Sequence, residues 1–231
     1  MDVASGAIIW RTDLPVYLLS GIAITGGRVF AVSRLTPNYP AAQQGRLYAL
    51  NATTGAVLWS ATTAATMDGN PAAANGLVYV GTQYTSQGMI AFDSATGAIR
   101  WQRQDVTQFR QTPAVTSSAL LVTNSSGGAT VLIRALNPLT GAQLWSVNTA
   151  APAAGGDPIV ANGVVYFGSR IGNRVINAVR LDTGATLTTL QLATGSGNHD
   201  ISPEIVNGTV LGALTNEPGS GTPTLQAFRL P

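Results

Sequence analysis

Cysteine is absent from the 231-residue chain, which removes disulfides, thiolate nucleophiles and Cys-ligated metals and leaves the redox compartment unreadable. Lysine is absent too: all twelve basic residues are arginines, scattered against ten acids for a net charge of +2. The pI of 9.3 therefore reports a small imbalance, not a basic patch. Phosphate binding needs clustered cations, so nucleic acid is not an expected partner. Charged residues reach only 10% of the chain, against a usual ~25%, and solubility must rest on Thr, Ser, Asn, Gln and Gly. No stretch approaches the ~18 apolar residues of a membrane span. Met1 is followed by Asp2 rather than by a signal peptide, so any export signal is expected to have been removed or never present. The one histidine, His199, confines a His-based triad to His199-Asp200, and no serine stands in a Gly-x-Ser-x-Gly elbow.

What the chain has instead is a repeat. Thr54-Gly55-Ala56-Val57-Leu58-Trp59 returns as Thr96-Gly97-Ala98-Ile99-Arg100-Trp101 and Thr140-Gly141-Ala142-Gln143-Leu144-Trp145. Relatives of the motif stand at Ser5-Gly6-Ala7-Ile8-Ile9-Trp10 and Thr183-Gly184-Ala185-Thr186-Leu187-Thr188. The motif glycines fall at 6, 55, 97, 141 and 184, a period of 42 to 49 residues that fits propeller blades. Upstream of each motif lies a hairpin. Asn75-Gly76, Asn162-Gly163, Asn207-Gly208 and Gly26-Gly27 each separate two short apolar runs, and both positions of such a turn want positive φ. Only Ser117-Ser118 departs. A third run, such as Met89 to Asp93, precedes the Thr-Gly turn, so each unit reads as a four-stranded antiparallel meander. Isolated meanders would leave both faces wet, and radial stacking covers them.

Across its third and fourth strands the unit resembles the PQQ-like β-propeller repeat, Ala-x-Asp-x-x-Thr-Gly-x-x-x-Trp. The Ala falls at Ala49, Ala91, Ala135 and Ala178, and the acid position holds Asn51, Asp93 and Asn137. The unit at Gly184 departs, with Arg180 for the acid and Thr188 for the Trp. The resemblance covers nearly the whole chain and implies an all-β, bacterial, extracellular or periplasmic protein in which each Trp packs between neighbouring blades. We expect one domain over 1–231: a monomeric five-bladed β-propeller of four-stranded antiparallel blades, its ring closed by pairing of the N- and C-terminal segments. Residues 225–230 read as a third strand that stops at its turn, and Asp2 to Trp10 read as the missing turn and fourth strand. The alternative is a stretch in register with a larger propeller, since family members usually have more blades.

The Asn-Gly and Thr-Gly turns share one end of every blade and look chemically plain. The other end carries loops of varied length, 33–45, 82–88, 169–174 and 214–223, and variable loops on a rigid scaffold are where binding residues sit. Arg34, Tyr39, Tyr84, Arg170 and Arg174 fall there, and Tyr and Arg are enriched at interface hot spots. Blade connections bring Asp68, Arg110, Asp157, His199 and Asp200 just ahead of the innermost strands, as a channel-mouth ring that could hold a polar ligand or calcium, or simply line water. Paired carboxylates for glycoside hydrolysis would have to come from Asp68, Asp157 and Asp200. In family members that use pyrroloquinoline quinone, the resemblance implies a Trp floor, an adjacent-cysteine disulfide and acidic calcium ligands. Here Cys is lacking and all four Trp (10, 59, 101 and 145) belong to the repeat motif, so no quinone cofactor is expected. The reading is a non-catalytic binding or scaffold propeller offering its variable-loop face to a protein, peptide or glycan. Its alternative is a hydrolase or metal-dependent enzyme using the channel acids and His199, and a minimal repeat with no ligand is the third possibility.

Overall fold

The computed structural model describes residues 6–35, 44–67, 69–82, 88–105, 111–123, 131–148, 154–169, 175–192, 201–214 and 224–229, which hold nineteen strands and no helix. No helix long and apolar enough to cross a membrane occurs among them. The chain divides into two compact units, residues 1–110 and 111–231. In the first, β1 (Leu18–Thr25), β2 (Arg28–Arg34), β3 (Gly45–Asn51) and β4 (Val57–Thr63) form one antiparallel sheet in chain order. A second meander follows with β5 (Ala72–Ala74), β6 (Leu77–Gly81), β7 (Met89–Asp93) and β8 (Ile99–Arg103). The second unit has β9 (Ala114–Val115), β10 (Leu120–Thr123), β11 (Val131–Leu136) and β12 (Gln143–Asn148) in a third sheet. Its fourth sheet is β13 (Ala154–Ala161), β14 (Val164–Ser169), β15 (Val175–Arg180) and β16 (Thr186–Gln191), and its fifth β17 (Glu204–Val206), β18 (Thr209–Leu214) and β19 (Thr224–Arg229).

The turn chemistry is what the residues require. Asn75, Asn162 and Asn207 take φ of 54°, 49° and 47°, each followed by a glycine at 72–75°, the left-handed pair that lets a two-residue turn match the twist of its strands. Where the third sheet has Ser117-Ser118 instead, the Thr116 hydroxyl accepts the amides of Ser118 (3.2 Å) and Ala119 (2.9 Å), a side-chain substitute for the glycine turn. In the third-to-fourth turns the signature acid is a cap. Asn51 Oδ1 accepts the amides of Thr53 and Thr54, Asp93 Oδ1 those of Ala95 and Thr96, and Asn137 Oδ1 those of Leu139 and Thr140, all at 2.9–3.1 Å. The threonine hydroxyl then takes the amide two residues on, as Thr54 does for Ala56 and Thr96 for Ala98.

Each four-stranded sheet with such a turn carries a register shift immediately after the signature alanine, at Ala49/Leu50, Ala91/Phe92, Ala135/Leu136 and Ala178/Val179. A bulge re-aims the side chains beyond it. The alanines are buried and lie opposite Trp59, Trp101, Trp145 and Thr188. Between the first two sheets Phe30, Val32 and Leu47 meet Val78, Val80, Ile90 and Phe92. In the second unit Leu121 and Ile133 meet Val165 and Phe167, and Tyr166 and Ile176 meet Ile201 and Val210.

Residues 6–14 belong to no strand, and the fifth sheet has three strands among the described residues. Within the first unit the N-terminal segment is held by side chains. Trp10 donates its indole N–H to the Ala52 carbonyl at 2.9 Å and Thr12 its hydroxyl proton to the Gly55 carbonyl at 2.7 Å, while Leu14 and Val16 cover Ala31, Tyr48 and Leu50. On β1, Ile22 is 61% and Ile24 65% exposed. At the register position of Ile22 the other four sheets hold Pro71, Pro113, Pro158 and Pro203, all buried.

Candidate functional site

The tryptophans are joints. The Trp59 indole donates to the Ser94 carbonyl at 3.2 Å and the Trp145 indole to the Leu181 carbonyl at 2.9 Å, each reaching the next sheet's Thr-Gly turn as Trp10 reaches Ala52. Each ring lies where a Cβ on the turn glycine would stand: 2.5 Å from it at Gly55, 2.6 Å at Gly97 and 2.7 Å at Gly184. Those glycines have φ of 73°, 77° and 71°. The motif thus needs glycine twice, for its backbone and for the aromatic ring that covers it. Trp145 is buried, Trp59 and Trp101 are half-buried, and Trp101 tilts against Tyr79 at 6.0 Å between centroids.

Of the expected channel-mouth residues, Asp157 is the one the described residues include; Asp68, Arg110, His199 and Asp200 lie outside them. Asp157 Oδ1 accepts the Thr112 amide at 2.7 Å, and the Asp157 amide donates to Ser202 Oγ at 3.1 Å. Both partners sit 45 residues away, one repeat back and one forward, so Asp157, on β13, ties together the segments that lead into β9 and β17. Beside it the Thr123 hydroxyl donates to the Gly156 carbonyl at 3.1 Å, and Gly156, at φ 86°, leaves room for the Ile201 backbone. Sequence reading identified Asp157 but not this strapping role, which needs repeat-spaced partners from neighbouring sheets. Among the loop residues, Arg34 ends β2 half-buried, its carbonyl accepting the Tyr17 amide at 3.0 Å. Tyr39, Tyr84, Arg170 and Arg174 lie outside the described residues.

Every described aspartate is engaged. Asp13 meets Arg11 at 3.1 Å, Asp105 meets Arg103 through two bonds of 2.6 and 2.7 Å, Asp93 caps its turn and meets Arg100 at 3.4 Å, and Asp182 meets Arg180. The Thr96 amide and hydroxyl, then the Ala95 amide, hold the Asp93 carboxyl below the ordinary carboxylate range. Arg180 does the same to Asp182. No group of three or more His, Cys, Asp or Glu side chains gathers among the described residues. Three of the four tryptophans, Trp10, Trp59 and Trp145, lie against the turn glycines Gly55, Gly97 and Gly184.

The tight-turn end, plain in sequence, is not featureless. Between the third and fourth sheets a cavity of about 340 Å³ is bounded by Ser118, Asn162, Val164, Arg180, Asp182 and Leu187, among others. Arg180 Nε and Nη2 bind Asp182 Oδ1 and Oδ2 at 2.9 and 2.7 Å. The signal in the sequence was present as two separate departures from the repeat, Ser117-Ser118 and Arg180.

A sequence model of the family described as outer membrane protein assembly factor BamB matches residues 1–208. Outer membrane protein assembly factor BamB of Yersinia pestis is 28% identical over 210 residues, covering 81% of this chain and 50% of that protein. The dehydrogenase subunit of a quinone alcohol dehydrogenase from Gluconacetobacter polyoxogenes is 26% identical over 192 residues, 72% of this chain but 23% of its own length. The crystal structure of BamB from Moraxella catarrhalis superposes with a TM-score of 0.61 at 17% identity, over all of this chain and 66% of that one. This chain spans about half the length of the curated BamB relatives it matches. It belongs to the BamB family of PQQ-like β-propeller repeat proteins.

Proposed function

We propose that this chain is a binding scaffold of the bacterial envelope, acting in outer-membrane protein assembly by holding a protein partner on its variable-loop end and doing no chemistry of its own. The observation that supports it most is the commitment of the described aspartates: each is used as a turn cap, a strap between neighbouring sheets or half of an ion pair. General acid–base work or metal binding needs carboxylates left over. The relatives named as assembly factors supply the setting, and periplasmic exposure follows from it. The same proposal includes a single five-bladed ring, in which a neighbouring sheet covers Ile22 and Ile24 as the other sheets' prolines are covered. On this reading, Asp68, Arg110, Asp157, His199 and Asp200 line the channel mouth, with Arg34, Tyr39, Tyr84, Arg170 and Arg174 on the contacting loops.

The test places a photoreactive residue at position 34 in the envelope-expressed protein and identifies crosslinked species. Adducts with components of outer-membrane protein assembly, lost when loop 33–45 is shortened, support the scaffold. Hydrolytic turnover or stoichiometric calcium abolished by Asp157→Asn, with no such adducts, would establish the enzyme instead.

A further inference from the structure

The cavity between the third and fourth sheets sits where two departures from the repeat meet. In the first three units the position of Arg180 holds Asn51, Asp93 and Asn137, each folded back on its own turn, and the fifth unit has Arg229 there. Arg180 instead points along the surface to Asp182, which engages Nε and Nη2 in a two-pronged contact. A guanidinium has two such edges, and this pairing uses one of them. The Nη1/Nη2 edge remains, held in a fixed orientation by Asp182, with the Arg180 side chain 54% exposed. Across the cavity Ser118, its Oγ 3.4 Å from Thr116 Oγ1, has a hydroxyl where the other repeats have the second-position glycine of Asn-Gly or Gly-Gly, and Asn162 adds an amide. Val164 and Leu187 form apolar wall, Leu187 being 51% exposed. An oriented cation edge, a hydroxyl, an amide and an aliphatic wall in about 340 Å³ match one kind of ligand.

We propose that this cavity binds a peptide carboxylate next to an aliphatic side chain, the carboxylate pairing with the outer edge of Arg180 and the side chain lying on Val164 and Leu187. It rests on the scaffold reading, and adds to it a second recognition point at the opposite end of the sheets from the variable loops. A carboxylate could come from an Asp or Glu side chain or from a chain terminus; the two share the recognition chemistry.

The test uses ¹⁵N-labelled full chain titrated with four peptides: Ac-Gly-Leu-Glu-Gly-NH₂, its Gln counterpart, Ac-Gly-Val-Leu-OH and its amide. Saturable shifts of the Ser118, Gly163 and Asp182 amides with at least one carboxylate peptide, about tenfold weaker or absent with its neutral partner, are the expected result. Which acid form binds identifies the source. Arg180→Asn introduces the turn-capping residue of the first and third units and so keeps the turn, yet should weaken carboxylate binding by about tenfold; Leu187→Ser should weaken it several-fold. Equal response to acid and amide peptides, no response to any, or full binding by Arg180→Asn would overturn the proposal. Crosslinking through position 34 separates the two claims. Arg180→Asn that crosslinks normally while no peptide binds the wild type sinks the cavity alone, and peptide binding without crosslinks counts against the scaffold alone.

Discussion

Asp93 and Tyr79 show how single residues carry the fold's sensitivity to pH. Turn amides and the Thr96 hydroxyl hold the Asp93 carboxyl low, so the folded state binds its proton less readily than the unfolded chain does. Its contribution is therefore present above the unfolded value of about 4 and is lost as pH falls through the lower folded value. Asn51 and Asn137 cap the same turn with an amide, so Asp93→Asn should keep neutral-pH stability and flatten its decline in acid, read as urea midpoints between pH 2 and 7. Tyr79 works at the other end of the scale. Its ring is fully buried against Trp101, its hydroxyl finds no partner among the described residues, and burial pushes its pKa up to about 12. A raised folded value means that its contribution is intact below the unfolded value of about 10 and is lost as pH rises towards 12. Tyr79→Phe removes an unsatisfied polar atom and should leave stability equal or higher by about 1 kcal/mol at pH 7, with a smaller alkaline loss. A drop of the melting temperature at neutral pH would show that the hydroxyl has a partner.

At the scale of the element, the unit of construction is not the sheet alone but the sheet plus the indole that covers the next turn. Trp145→Phe keeps most of the buried area but loses the bond to Leu181, and should cost about 1 kcal/mol; Trp145→Ala adds the cavity and should cost about 3–5 kcal/mol. Gly184→Ala attacks the same joint from below. It forces a side chain into left-handed backbone and against the Trp145 ring, and should cost about 2 kcal/mol or more by chemical denaturation. This joint was half legible in the sequence. Asn-Gly and Thr-Gly announce their turns because few residue types accept positive φ, and a Trp at a fixed offset announces a packing role. The bulge after Ala49, Ala91, Ala135 and Ala178 was not legible, since no residue type marks the extra position: Leu58, Arg100, Leu144 and Leu187 occupy it. The role of Asp157 was hidden for a related reason, because its partners Thr112 and Ser202 meet it only through the stacking of separate repeats.

At the scale of the whole molecule, the repeat and its antiparallel meanders were legible in the sequence, because periodicity is a global signal that survives local variation. It did not show the tight-turn cavity, because Ser118 and Arg180 are unconnected departures from the turn signature until two sheets pack. The loops expected to recognise a partner were readable as variable and no further, since mixed Thr, Gly, Pro, Gln and Asn favour no one ligand. The proposed scaffold requires both units and the N-terminal segment to unfold together. Trp10 is the residue to ask, because it already occupies on the first sheet the place that Trp59 occupies on the second. Calorimetry of the full chain beside Trp10→Ala and a variant lacking residues 1–14 measures this directly. On this account the wild type unfolds in one transition whose calorimetric and van't Hoff enthalpies agree, and both variants lower that single transition as a whole. Two transitions in the wild type, with Trp10→Ala moving one and leaving the other in place, would contradict it.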